Sequence, residues 1–160
     1  MTHSWLQRGS GPNKIRHFQD LLDVTVSLVS EGIADTVSAY GEGPSGGLSI
    51  GAVLMKEPHL YAAVVLKVMG QQNPILDVLL YMSQRRGAQD LGEMVTKEGF
   101  DQILAYSPYH QPTPDRDISA LYVGADFDQE YYVHAMKFVA KLRETSKKHG
   151  NLVLLREYQR

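Results

Sequence analysis

Thr36-Val37-Ser38-Ala39-Tyr40-Gly41-Glu42-Gly43-Pro44-Ser45-Gly46-Gly47-Leu48 is the stretch that decides the fold. Residues 36–40 are a short β-compatible run, and residues 41–47 are a glycine cluster. After it Leu48, Ile50, Val53 and Leu54 resume an apolar periodicity. The order is strand, tight turn, helix. Gly43-Pro44-Ser45-Gly46-Gly47 also satisfies G-x-S-x-G, in which a serine stands on a strained turn. The residues two before and two after it must be small, so that strand and helix can approach; Gly43 and Gly47 meet that need around Ser45. Five residues are compatible both with a turn that has no chemistry and with a nucleophile elbow, so the surroundings have to decide.

Upstream, Phe18, Leu21, Leu22, Thr25, Leu28 and Val29 recur at steps of three and four and Gly32 follows as a stop, which predicts an amphipathic helix over 14–31. Downstream, Pro58 ends the helix after the turn, and Tyr61-Ala62-Ala63-Val64-Val65-Leu66 has the unbroken apolar character of an inner parallel strand. Residues 70–98 read as irregular connection with short helical pieces, 100–106 as a short helix closed by Ser107-Pro108, and 110–117 as a loop. A strand over 118–123, a helix over 130–148 and a final strand over 152–155 complete the pattern. Alternating strand and helix predicts an α/β protein with a mainly parallel sheet flanked by helices.

Composition narrows the function. With 43% hydrophobic and 21% charged residues the chain of 160 is globular, and one domain is the prior. Sixteen Lys and Arg against eighteen Asp and Glu leave a net charge of −2, which is no footprint for nucleic acid or an anionic membrane. There is no cysteine, hence no disulfide, thiolate metal site or cysteine nucleophile. The longest apolar stretches, around 61–66 and 133–142, fall short of the ~20 residues a membrane span requires. A soluble, intracellular chain is the expectation, with cytoplasm and mitochondrion both open. Asp115-Arg116-Asp117 and Asp126-Phe127-Asp128 are isolated pairs without metal-ligand spacing. Residues 41–47 lack the Lys-Ser/Thr ending of a P-loop, so neither a metal nor a cofactor is expected.

Gly46-Gly47-Leu48-Ser49-Ile50-Gly51-Ala52-Val53, then Pro58-His59-Leu60-Tyr61-Ala62-Ala63-Val64-Val65, Leu76-Asp77-Val78 and Tyr106-Ser107-Pro108-Tyr109 together resemble the catalytic domain of prolyl oligopeptidase-type serine peptidases, nearest the oligopeptidase B branch. Asn13-Lys14 ahead of Phe18-Gln19-Asp20, Val139-Ala140-Lys141-Leu142-Arg143-Glu144 and Asn151-Leu152-Val153-Leu154-Leu155 extend the similarity along nearly the whole chain. The resemblance implies a partial α/β-hydrolase fold over residues 1–160, without the family's β-propeller.

Its site residues transfer poorly. The family elbow reads G-G-S-x-G-G-L, and an ungapped fit puts Gly43 before the nucleophile and Pro44 on it. The alternative register makes Ser45 the nucleophile and deletes one residue before Gly46-Gly47. The family's acid falls on Phe127, between Asp126 and Asp128, either of which could serve only with a local backbone shift. Its base follows the strand that 152–155 resembles, in a G-H-x-G-like loop that would lie beyond Arg160. His134 and His149 sit instead on the last helix. Arg85-Arg86-Gly87-Ala88-Gln89-Asp90 stands where the oligopeptidase B branch carries acids that read basic side chains. A serine hydroxyl without a base loses several orders of magnitude in rate.

The expectation is therefore a catalytically inactive relative with vestigial Ser45, Asp126 and Asp128, acting as a structural or interaction subunit. Other protein chains would cover the open edge of its elbow strand, with Trp5, Tyr109, Tyr131 and Tyr132 as possible contact residues. Two further readings stand beside it. The chain could be a fragment of a serine oligopeptidase with Ser45 as nucleophile, or a peptide-binding module that does not hydrolyse.

Overall fold

The computed structural model describes residues 3–67, 92, 96–111, 120–126, 132–146 and 152–158. Helix α1 (His3–Arg8) leads through a 3₁₀ turn, Gly11–Asn13, into α2 (Lys14–Ser30). Lys14, Phe18, Leu22 and Thr25 form the buried stripe of α2, three and four residues apart as one helix face requires. Gly32 ends it at φ +68°. Its N–H bonds Val29 O and the next N–H bonds Leu28 O, the paired bonds of a Schellman stop, for which glycine avoids the Cβ penalty.

Strands β1 (Val37–Glu42), β2 (Tyr61–Lys67), β3 (Ala120–Asp126) and β4 (Leu152–Tyr158) pair in sequential order, all parallel. Parallel neighbours need crossovers. Helix α3 (Gly43–Lys56) joins β1 to β2, α4 (Lys97–Leu104) falls between β2 and β3, and α5 (Tyr132–Ser146) joins β3 to β4. Among the described residues β1 and β4 are the sheet edges.

Helix α3 is the centre of the core. Residues 47–55 are all buried, because one side meets β1 and β2 and the other meets α2. Leu48, Val53 and Leu54 join Val64 and Leu66 of β2, Leu121 and Val123 of β3, Ile103 of α4, and Phe138 and Leu142 of α5. Burying each such side chain is worth about 1.5–3 kcal/mol before entropy is counted, so the sequence spends its large apolar residues where three layers meet.

Several boundaries differ from the sequence reading. Strand β1 continues through Gly41 and Glu42, and α3 begins at Gly43 rather than near Leu48, so the turn is one residue and not a seven-residue cluster. Packing against β1 outweighs the weak helix propensity of Gly46 and Gly47. Helix α4 starts three residues earlier than the apolar pattern implies, because Thr96 Oγ1 caps it by accepting the Gly99 N–H at 3.1 Å. Strand β4 runs three residues longer, to Tyr158, and α1 has no counterpart in the periodicity of the sequence. The readings over 70–98, except at 92 and 96–98, and over 112–117 lie outside the described residues.

Candidate active-site elbow

In parallel α/β sheets ligands bind beyond the carboxyl ends of the strands, and β1 ends at the turn in question. Glu42 is extended, with φ −118° and ψ 144°. Gly43 then takes φ +70° and the helix follows at once. A Cβ added to Gly43 would meet nothing within 4 Å among the described residues, so this apex faces open space there. Gly41 is the opposite case. A Cβ there would lie 2.6 Å from Gly46 O and 3.1 Å from Ile50 Cγ1, so the close approach of strand to helix is between Gly41 and Gly46.

Pro44 and Ser45 both fall in the first turn of α3. Proline suits that position, since its φ is already helical and an N–H there would be unpaired. Ser45 is exposed, and its carbonyl accepts the Ser49 hydroxyl at 2.8 Å. Gly46 and Gly47 lie one residue further in, Gly47 buried. The positive φ is thus carried by Gly43, not by Pro44 or Ser45. Asp126 closes β3, two residues past Gly124, which pairs with Lys67 as Glu42 does. Phe127, Asp128 and His149 lie outside the described residues.

Two clusters escaped the sequence reading. His17 Nε2 sits 2.7 Å from Ser49 Oγ. Because Ser49 gives its proton to the Ser45 carbonyl, His17 must donate through Nε2–H. The ring thus presents a proton where a catalytic base would present a lone pair, and the pair ties α2 to the second turn of α3, with Ser49 reaching back to the Ser45 carbonyl in the first. No sequence signal joins positions 32 apart. Beside the apex, Glu42 accepts Lys67 Nζ at 2.9 Å and the Tyr40 hydroxyl at 2.8 Å. The Lys67 bond, then the Tyr40 bond, hold this exposed carboxyl below its usual range, so it stays ionised. Glu42 and Lys67 share a register position on adjacent strands, but only a known pairing would have revealed it.

The remaining described imidazoles with resolved surroundings are engaged elsewhere. His110 Nδ1 is 2.8 Å from Ser107 Oγ, His59 faces Glu57 at 3.4 Å, and His134 is buried on α5. Among the described residues no three His, Asp or Glu side chains gather as metal ligands. No described helix is long and apolar enough to cross a membrane.

A parallel sheet whose first strand enters its helix through a one-residue turn at positive φ, with small residues pressed together behind it, is the α/β-hydrolase arrangement. A model of the prolyl oligopeptidase family matches residues 1–159, and the chain belongs to that family, whose members are serine peptidases. Dipeptidyl aminopeptidase BI of Pseudoxanthomonas mexicana is 34% identical over 163 residues, covering 96% of this chain and 22% of the relative. The prolyl endopeptidase of Dictyostelium discoideum is 27% identical, covering 96% and 20%. The fold is shared with a prolyl endopeptidase structure at TM-score 0.83 and 31% identity, over 98% of this chain and 23% of that one. It is shared also with oligopeptidase B from Trypanosoma brucei carrying covalently bound antipain, at TM-score 0.77 and 27% identity, over 94% and 21%. The chain spans about a fifth of the length of the curated relatives it matches.

Proposed function

We propose that this chain is a non-hydrolysing member of the prolyl oligopeptidase family that acts by associating with other protein chains. The observation that carries the reading is the glycine at φ +70°: the position an attacking hydroxyl would occupy has no side chain. Ser45 does not replace it, since it belongs to the first turn of α3 and no imidazole is hydrogen-bonded to it among the described residues. Among the described residues β1 pairs on one side only, and this supports the associative half of the proposal. Asp126 and Asp128 are then vestiges of the acid. The purified chain is expected to cleave neither peptides nor activated esters and to leave a serine-directed fluorophosphonate unreacted. Turnover abolished by Ser45→Ala would overturn the first half, and migration alone on purification from the native source would overturn the second.

A second reading rests on length. The matched relatives are four to five times longer, which supports this chain's being a piece of a serine peptidase in which Ser45 attacks. A transcript continuing past Arg160 into a G-H-x-G-like segment would favour it.

A further inference from the structure

We infer that the turn has lost a second catalytic group besides the nucleophile: the backbone N–H that would hold the oxyanion of a tetrahedral intermediate. In a strand-to-helix elbow the residue at positive φ presents its side chain clear of both elements. The N–H of the residue after it is one of the two donors that meet the developing oxyanion. Here the positive φ belongs to Gly43, and the next residue is Pro44, which has no amide hydrogen. The two losses are adjacent and separate. One removes the attacking atom and the other removes a donor that acts only once an oxyanion exists.

The backbone shape survives both. Gly41 still presses on Gly46 with no room for a Cβ, and no described residue lies within 4 Å of a Cβ at Gly43, so among the described residues nothing obstructs a side chain placed at 43. Pro44 also favours the helix for the reason it fails the chemistry, since an N–H in this first turn has no intrahelical partner. Restoring a nucleophile at 43 alone would therefore leave the elbow one oxyanion donor short. This rests on reading the turn as a peptidase-family elbow.

The absence of cysteine permits a clean test on the full chain, because an introduced thiol is the only one present. Gly43→Cys and the double variant Gly43→Cys/Pro44→Ala are each treated with p-nitrophenyl acetate. The thiolate forms a bond to the carbonyl carbon, the ester C–O bond breaks, and p-nitrophenolate leaves with the electron pair, one equivalent per chain. Each is treated also with iodoacetamide, where the thiolate displaces iodide and no oxyanion forms. The ratio of the two rates cancels differences in thiol ionisation. It is expected to rise ~10-fold or more on adding Pro44→Ala, where losing one oxyanion donor from an intact site costs about 10²–10³. An unchanged ratio overturns the inference. Folding is followed by circular dichroism, and Ser45→Cys serves if the strained Gly43→Cys chain does not fold. Its ratio is expected to equal that of N-acetylcysteine, and a raised ratio would move the apex to Ser45 and overturn the assignment. Ester turnover by the unsubstituted chain would instead refute the non-hydrolysing reading and leave this comparison intact.

Discussion

Two glycines two positions apart, Gly41 and Gly43, are required for different reasons, and substitution separates them. Alanine at Gly43 has space but must hold φ +70°, a left-handed torsion that costs an L-residue roughly 1–2 kcal/mol. Alanine at Gly41 has an ordinary torsion but would meet the Gly46 carbonyl at 2.6 Å, and neither backbone can yield without parting strand from helix. Gly41→Ala is expected to cost more, at or above the upper end of the roughly 1–3 kcal/mol typical of overpacking. Urea unfolding midpoints check the order, and an equal or smaller loss at Gly41 would show that the strand–helix contact is not tight. The same pair explains why the site was only half legible. The residues Gly43-Pro44-Ser45-Gly46-Gly47 announce a turn at which strand and helix meet, but they admit two registers. Those registers put Pro44 or Ser45 at the apex, whereas the positive torsion falls on Gly43, and the string of letters carries no torsions.

Legibility at the scale of elements followed physical cause. Helix α2 was readable because one face repeats at helical spacing and Gly32 stops it. The first turn of α3 was not, because its glycines are helical only through the sheet behind them. Contacts between elements were likewise hidden, and two of them titrate. Tyr61, opening β2, reaches Thr25 of α2 at 3.2 Å, and since Thr25 donates to Leu21 O the phenol must donate to Thr25. Burial raises the Tyr61 pKa, partly opposed by that bond. The folded chain therefore keeps this proton after the unfolded chain releases it near pH 10. The associated stability is complete below about pH 10 and is lost as pH climbs through the raised value. Tyr61→Phe is expected to cost ~1 kcal/mol at neutral pH and to flatten the alkaline limb of a stability-against-pH curve.

The loop after α4 works in the opposite direction. Lys141 of α5 donates to the carbonyls of Tyr109, at 2.5 Å, and Gln111, while Ser107 holds His110. Burial first, then the charges of Lys141 and Lys137, press the His110 pKa below its ordinary value. The unfolded chain binds this proton near pH 6.5 and the folded chain resists it. The contribution is thus full above about pH 6.5 and lost as pH falls toward the depressed value. In thermal melts from pH 7 to pH 4, His110→Gln is expected to lose less stability than the parent. A parallel decline in the two would mean that the acid limb belongs to other groups.

At the scale of the whole molecule the open question is what satisfies the sheet. Parallel sheets are normally covered on both faces and paired along most of their length, because crossover helices bury them. Here β1 has β2 on one side only among the described residues, with Ser38 exposed and Tyr40 57% exposed along it. Helix α2 turns Val24 and Val26 to solvent, and Ile33 beyond its end is 67% exposed. An edge strand with unpaired backbone groups is a template for another strand unless charge or proline blunts it. Glu42 does not blunt it, because its charge is matched by Lys67 across the β1–β2 pair. The isolated chain is therefore expected to associate as concentration rises, and Ser38→Lys/Tyr40→Lys, which adds two cations along β1 against the single carboxylate of Glu42, to shift it toward monomer. Sedimentation velocity over a concentration series reads this directly. Identical profiles for parent and variant would separate association from the β1 edge, and the proposal that another chain completes this sheet would lose its structural ground.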